Sequence, residues 1–214
     1  LSIAGRVEIE LVWRSQRNHS VELVPALRRI MDQTGVDVDG LSAIYVAKGP
    51  GGFSALRVGI SFAKALAAAQ SIPLVAVGTL DVEAHPFLGF GYPVCAIIDA
   101  GRDMVYTAIY DPADKNEGVV EYRATSHRDF LELAQAGIFY CGEGLVNLSE
   151  GLNEKLGKSA LLSNSLAPTR RPGVLAQIGN RMLSASDIVS PEDLQPLYIR
   201  GSQFEVAQRT WRRN

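Results

Sequence analysis

Histidine and cysteine are scarce in this chain, and their scarcity argues against two kinds of site. The three histidines, His19, His85 and His127, form no His-x-x-x-His pair and no Cys/His cluster, so the sequence predicts no zinc or iron site. The two cysteines, Cys95 and Cys141, each lie in an apolar run that is typical of a strand. We therefore expect buried free thiols in a reducing compartment and no disulfide.

Nucleophile motifs and long apolar segments are also missing. The sequence contains no Gly-x-Ser-x-Gly elbow and no Cys-Gly-Ser-Cys signature, which leaves nucleophilic hydrolysis without a starting residue. No apolar run approaches the ~20 residues that a membrane span requires. Because no secretory signal is recognised either, we expect a cytoplasmic protein with no membrane contact.

Neither sign of charge is in large excess. A net charge of −2 over 214 residues argues against electrostatic nucleic-acid binding by the chain as a whole. The exception is the C-terminal segment, which carries Arg200, Arg209, Arg212 and Arg213. Such a segment could contact RNA phosphate, although a solvated terminus is the plainer interpretation.

Hydrophobic periodicity divides the chain into two halves that each mix hairpins with β-α-β crossovers. The first half is predicted to hold a hairpin over 1–13, helices over 20–34, 54–70 and 79–87, and strands over 41–47 and 74–77. After a linker at 89–93, the second half is predicted to hold strands over 94–98, 104–110 and 138–141 and helices over 126–135, 143–157 and 172–186. This arrangement favours two α/β lobes over one doubly wound sheet.

The loop between the strand 41–47 and the helix 54–70 reads Lys48-Gly-Pro-Gly-Gly-Phe53. Its glycines allow a tight turn and a close approach to a neighbour, and the first helical amides suit an anion. The Walker pattern and the dinucleotide fingerprint are both absent, however. Gly51 and Gly52 are therefore candidates for contact with a cofactor whose class the loop does not define.

Two further segments could contact a ligand. Asp99 ends the strand 94–98 and could bind a metal–phosphate or orient a base, or it could close a turn with Arg102 by Asx-type bonding. The run Gly142-Glu143-Gly144 could admit a ligand against the backbone, although a lone Gly-x-Gly is not specific.

The helix 54–70 is apolar nearly all round, which predicts burial on more than one side. Its small residues Ala55, Gly59, Ala63 and Ala67 recur at every fourth position. Such a stripe lets another helix approach closely. From the pattern alone the neighbour is either the helix 20–34 of the same chain or a helix of a partner chain.

Five motifs in order resemble the bacterial TsaB (YeaZ) family. They are His19–Pro25, Lys48–Gly59, Ile72–Leu80, Ile98–Arg102 and Pro196–Arg200. The resemblance implies the two-lobed actin/Hsp70/sugar-kinase fold, an α/β fold with ribonuclease-H-like sheets. It implies a first lobe over 1–90 and a second over 91–214, from which the last residues could return to the first lobe. The family's opening strand would precede Leu1.

The resemblance also implies a function in making threonylcarbamoyladenosine next to the tRNA anticodon. The catalytic paralogue, TsaD, carries a metal-binding His-x-x-x-His whose positions fall at Thr79 and Glu83 here. The chain thus resembles a non-catalytic scaffold that pairs with TsaD, with the ATPase TsaE completing the assembly and tRNA contacted indirectly. No cofactor is then expected in this chain, since ATP binds elsewhere in the complex and the metal lies in TsaD.

The surface that the family uses for pairing, including homodimers of the subunit alone, lies on the helices 20–34 and 54–70. The implied interface residues are Leu23, Leu27, Ala55, Gly59, Ala63 and Ala67. Departures from the family pattern, including Gly52 for a serine and an extra Gly101, remove a hydroxyl and alter the loop, which argues against nucleotide binding by this chain. The alternative function is an ATP-dependent phosphotransferase or nucleotide hydrolase that uses the inter-lobe cleft. A peptidase would lack both metal ligands and a nucleophile.

Overall fold

The computed structural model describes residues 1–13, 15, 18–112, 119–164 and 169–199. The helices are α1 His19–Thr34, α2 Phe53–Gln70, α3 Thr79–Ala84, α4 His127–Leu133, α5 Leu145–Leu156 and α6 Pro172–Ser184. The strands are β1 Ser2–Ile3, β2 Arg6–Val7, β3 Ile44–Gly49, β4 Leu74–Gly78, β5 Val94–Gly101, β6 Met104–Tyr110, β7 Val119–Ser126, β8 Phe139–Cys141 and β9 Leu161–Leu162. The predicted C-terminal arginine segment lies outside the described residues.

A five-stranded mixed sheet of order β7-β6-β5-β8-β9 forms the second half. Strand β5 pairs antiparallel with β6 and parallel with β8. Its alternate residues enter different cores: Cys95 and Ile97 pack towards α4 and α5, whereas Ala96 and Ile98 pack towards α3. Burial on both faces explains why the sequence of β5 is apolar without alternation.

A parallel β3–β4 pair with α2 as its crossover forms the first half. Strand β4 is also buried on both faces, because Leu74 packs against α2 while Val75 and Val77 pack against α6. The hairpin β1–β2 is shorter than predicted: its last strand pair is Ser2–Val7, and beyond it Leu1 N donates to Ile9 O at 2.9 Å.

The segment 172–199 packs against the first half. The ring of Tyr45 on β3 fills the space over Gly179 of α6, where a Cβ would lie 2.5 Å from the ring. Val189 N donates to Leu74 O at 2.9 Å, which extends the β3–β4 pair by one antiparallel bridge. The polypeptide thus leaves the first half after β4 and comes back to it through α6. The boundary at residue 90 stays a prediction.

The structure adds two strands to the sequence prediction and shifts several element boundaries, among them the end of α3, which is Ala84 rather than residue 87. Strands β7 and β9 were not predicted, and both lie at or near an edge of the mixed sheet. Helix α5 begins at Leu145 rather than near 143 because Gly142 and Gly144 press against β5.

Candidate functional site

The glycine loop before α2 lies against the C-terminal segment of the same chain. A Cβ on Gly49 would lie 2.8 Å from Leu197 O, and Leu197 N donates to Lys48 O at 2.7 Å. The close neighbour that the loop sequence predicts is therefore Leu197. A Cβ on Gly51 or Gly52 would meet only ordinary van der Waals contacts at 3.8 Å or more. Their role towards a cofactor stays a prediction.

Asp99 lies at the exposed β5–β6 turn. Its Oδ1 accepts a hydrogen bond from Gly101 N at 2.7 Å, and Gly101, Arg102 and Asp103 all have positive φ. This is the Asx-type turn that the sequence allowed. The carboxylate is thus engaged in closing the hairpin, and its cofactor role stays a prediction.

The Gly142-Glu143-Gly144 run is explained by packing rather than by a ligand. A Cβ on Gly142 would lie 2.3 Å from Ile97 O, and one on Gly144 would lie 2.6 Å from Ile97 Cγ2. Gly144 N also donates to Ile97 O at 3.1 Å. Strand β5 therefore occupies the space that the sequence interpretation gave to a ligand.

Helix α3 links β4 to the second half, and its polar residues point to two different clusters. In the first cluster, Asp81 Oδ1 accepts hydrogen bonds from Tyr110 Oη at 2.6 Å and Tyr122 Oη at 3.0 Å. Asp81 Oδ2 accepts from Gly78 N at 3.1 Å, which caps the helix. Burial, followed by the negative charge of Asp81, raises the pKa of both tyrosines. Asp81 thereby attaches α3 to strands β6 and β7.

The second cluster surrounds Glu83, whose side chain is almost fully buried. Glu83 Oε1 accepts a hydrogen bond from Thr169 Oγ1 at 2.7 Å and lies 3.7 Å from Arg170 Nε. Arg170 Nη2 is bonded to Glu143 Oε2 at 2.5 Å. Burial raises the pKa of Glu83 to about 7, against the opposing effects of the Thr169 hydrogen bond and the Arg170 charge. A carboxyl that holds its proton near neutral pH therefore lies between α3 and the chain that enters α6.

Thr79 precedes Glu83 by one turn of α3. Its Oγ1 is buried and has no hydrogen-bond partner among the described residues. Within that part of the chain, no group of three or more His, Cys, Asp and Glu side chains is arranged to hold a metal ion. The sequence pointed to Thr79 and Glu83 only through the family resemblance. The residues around Glu83, Asp81-Val82-Glu83-Ala84-His85, carry no independent signal for its burial.

Helix α1 has no buried residue, although its sequence is amphipathic. Val21 is 67% exposed and Val24 is 50% exposed. The predicted interface residues Leu23 and Leu27 are half-buried. A cleft of about 490 Å³ separates α1 from α2, and Val24, Leu27, Met31, Phe62 and Leu66 line its apolar part.

The predicted small-residue stripe on α2 does not stay on one face. Ala63 and Ala67 are buried in the core with Leu74 and Leu194, so the interface prediction is wrong for these two alanines. Positions four apart are rotated by about 40° from each other on an α-helix, so the stripe turns by roughly 120° between Ala55 and Ala67. Ala55 is exposed and Gly59 is half-buried, and their interface role stays a prediction.

The accessible apolar face of α2 follows a different spacing. Its exposed or half-buried residues are Ala55, Val58, Phe62, Ala65 and Ala69. They recur at intervals of three and four, which is the spacing of a straight helix–helix seam. We call these five residues, together with Val21, Val24 and Leu27 of α1, the α1–α2 surface.

The two halves define an α/β protein of the actin/Hsp70/sugar-kinase type. The solved structure of YeaZ from Pseudomonas aeruginosa matches it with a TM-score of 0.68 at 25% sequence identity. That match covers 86% of this chain and 85% of the YeaZ chain. The fold class predicted from the sequence is confirmed.

Sequence comparison then gives the family. The family profile described as "TsaD: tRNA N6-adenosine threonylcarbamoyltransferase" matches residues 13–146. The "tRNA threonylcarbamoyladenosine biosynthesis protein TsaB" of Bacillus subtilis (strain 168) is 30% identical over 203 residues, which are 92% of this chain and 86% of the relative. The chain belongs to the TsaB (YeaZ) family, as its motifs indicated.

The chain is also related to the transferases, but over a smaller part of their length. The "tRNA N6-adenosine threonylcarbamoyltransferase" of Anaeromyxobacter sp. (strain Fw109-5) is 36% identical over 123 residues. Those residues are 50% of this chain and 35% of the transferase.

Among the described residues, no helix is both long and apolar enough to cross a bilayer.

Proposed function

We propose that the chain is a non-catalytic scaffold subunit in the biosynthesis of tRNA threonylcarbamoyladenosine. In this proposal it pairs with a TsaD-type transferase and holds that enzyme in its active form. The name of the Bacillus subtilis relative supports the pathway, and the relationship to the transferases supports a paralogous partner. The observation that carries the pairing is the α1–α2 surface.

Helix α1 has an apolar face and no buried residue, so a partner that packs against this face would remove apolar area from water. Burial of apolar area contributes about 25 cal/mol per Å², and Val21 and Val24 of α1 remain 67% and 50% exposed in the isolated chain. The α2 seam is rich in alanine, which permits a partner helix to approach closely. The neighbouring α1–α2 cleft is apolar inside and carries Arg28, Asp32 and Asp37 among its lining residues. A partner helix with an apolar stripe and charged flanks fits this combination.

The same surface supports a homodimer of the chain alone. Because one surface cannot be covered twice, homodimer and heterodimer are then mutually exclusive, and adding the transferase converts one into the other. A TsaE-type ATPase is proposed to complete the assembly, and tRNA is proposed to be the substrate of the complex rather than of this chain alone.

The absence of catalysis is supported by the positions at which the resemblance places the transferase metal ligands. Thr79 and Glu83 occupy them, and Glu83 is already bonded to Thr169 and close to Arg170. Calorimetry of the isolated chain with Mg-ATP separates the scaffold from the ATP-dependent enzyme that the sequence left open. Submicromolar binding would favour the enzyme.

The pairing is tested by co-purification with the TsaD-type transferase of the same organism. Val24→Glu places a charge on the α1–α2 surface at a residue that is 50% exposed, so folding should be unaffected while the heterodimer is lost. Val146→Glu is the matched control, because Val146 is 75% exposed on α5. Ala65→Glu repeats the test on α2. A heterodimer that survives both Val24→Glu and Ala65→Glu would show that pairing uses another surface.

A further inference from the structure

Phe53, Arg57 and Tyr198 form an exposed cluster at the start of α2, which we call the aromatic cluster. Arg57 Cζ lies 3.9 Å from the centroid of the Phe53 ring. The rings of Phe53 and Tyr198 are 5.5 Å apart, with 30° between their planes. Arg57 Nε donates to Tyr198 Oη at 3.2 Å. These contacts hold two rings and one guanidinium in a defined arrangement.

The aromatic cluster remains open to solvent despite these contacts. Phe53 is 54% exposed and Tyr198 is 44% exposed, and Arg57 is also exposed. Large aromatic side chains with this exposure are usual at binding surfaces, where they supply contact area at little cost in conformational entropy.

Charge in the stretch that holds Phe53 and Arg57 is of one sign, whereas the segment 185–199 that holds Tyr198 carries Asp187, Glu192 and Asp193. Residues 41–80 contain Lys48, Arg57 and Lys64 and no aspartate or glutamate. Arg57 forms no ion pair with any carboxylate in the part of the chain that the structure describes. Two residues after Tyr198, the sequence enters the segment 200–214, whose charged residues are four arginines and one glutamate. The net charge of the whole chain is nevertheless −2, so the stretches 41–80 and 200–214 are more basic than the chain as a whole.

We propose that the aromatic cluster is a docking site for single-stranded RNA. Phe53 and Tyr198 would stack on unpaired bases, and Arg57 would contact phosphate, because stacking on aromatic side chains and guanidinium groups is how proteins hold splayed-out bases. The RNA is the loop of the tRNA to be modified, and in that respect the inference rests on the proposed function. The chain then helps to present the tRNA rather than contacting it only through its partner.

The competing explanation is that the aromatic cluster only fastens the segment 189–199 to α2. That role predicts that substitutions in the aromatic cluster lower the stability of the fold and leave RNA binding unchanged. Stacking predicts the opposite, since each stacked base contributes about 1–3 kcal/mol of binding free energy while an exposed ring contributes little to folding.

The test is fluorescence anisotropy of the isolated full chain with a labelled, unmodified tRNA anticodon stem-loop. Phe53→Ala is expected to weaken binding by about tenfold or more. A plot of log affinity against log salt concentration has a negative slope, and Arg57→Gln is expected to make that slope less steep by about one. Tyr92→Ala is the control, because Tyr92 is an exposed aromatic residue just before β5 and not a member of the aromatic cluster. The affinity of this variant for the stem-loop should equal that of the wild type.

Thermal unfolding of each variant accompanies the binding assay. The proposal is overturned if the wild type does not bind the stem-loop, if Phe53→Ala binds as tightly as Tyr92→Ala, or if lost binding simply follows lost stability. It is also overturned if removal of 200–214 abolishes binding while Phe53→Ala is neutral, or if Phe53→Ala weakens only the pairing with the transferase. Because RNA binding is measured without the partner, its failure is distinct from failure of the heterodimer test.

Discussion

Replacing Glu83 by glutamine is expected to remove a pH-dependent penalty on the stability of the fold. Burial raises the pKa of Glu83 to about 7, whereas its ordinary value is 4.5. In the unfolded chain the carboxyl loses its proton near the ordinary value, while in the folded chain it keeps the proton up to about pH 7. The contribution of Glu83 to the free energy of unfolding therefore falls as pH rises between these two values and is constant above them.

The size of the penalty follows from the shift in pKa. Each pKa unit corresponds to about 1.4 kcal/mol, so the folded state is disfavoured by about 3 kcal/mol at high pH. Glutamine is neutral at every pH, and its side-chain oxygen can still accept the hydrogen bond of Thr169. Arg170 keeps its contact with Glu143. The Glu83→Gln protein should therefore gain up to about 3 kcal/mol over the wild type on going from about pH 5 to about pH 8.

The assay is urea unfolding of both proteins at several pH values across that range. Glu132→Gln is the control, because Glu132 is exposed and pairs with the exposed Arg128. Its stability should differ from that of the wild type by less than about 1 kcal/mol at all pH values. Parallel pH profiles for the wild type and Glu83→Gln would refute the reasoning, since Glu83 would then titrate alike in both states.

Three further predictions concern packing and thiol chemistry. Gly142→Ala should fail to fold or lose more than about 2 kcal/mol of unfolding free energy in urea, because its Cβ would contact Ile97 O. Gly59→Ala should instead raise the free energy of unfolding by up to about 1 kcal/mol, and with it the melting temperature. The position is in mid-helix, and no atom lies within 4 Å of the Cβ that alanine would add. Cys95 and Cys141 should react with a thiol reagent only on unfolding, since burial raises the pKa of both; rapid labelling of the native protein would contradict this.

Local signals in the sequence predicted most helices and strands. The apolar run of β5 predicted a buried strand, and Ser126 caps α4 through its Oγ, which accepts from Asp129 N at 3.0 Å. Gly35 ends α1 with φ 68°. These features depend on residues a few positions apart along the chain, so they can be predicted from the sequence alone.

Features that depend on distant residues were not predictable in the same way. The stripe Ala55, Gly59, Ala63 and Ala67 looked straight in sequence, but the pitch of the helix turns its second half into the core. The environment of Glu83 depends on Thr169 and Arg170, which no local pattern connects to α3. Strand β9 is only two residues long and is defined by pairing with β8.

The return of the segment 172–199 to β3 and β4 sets an order for folding during synthesis. Strand β4 acquires its antiparallel neighbour only when Val189 has left the ribosome, on the order of ten seconds after Leu74 at typical elongation rates. The sheet centred on β5 needs no residue beyond β9 for its strand pairing. The middle of the chain can therefore fold first, while the core between α2 and β4 waits for Leu194 of the returning segment. The inner face of α2 is in this way covered only after the segment 172–199 has been made.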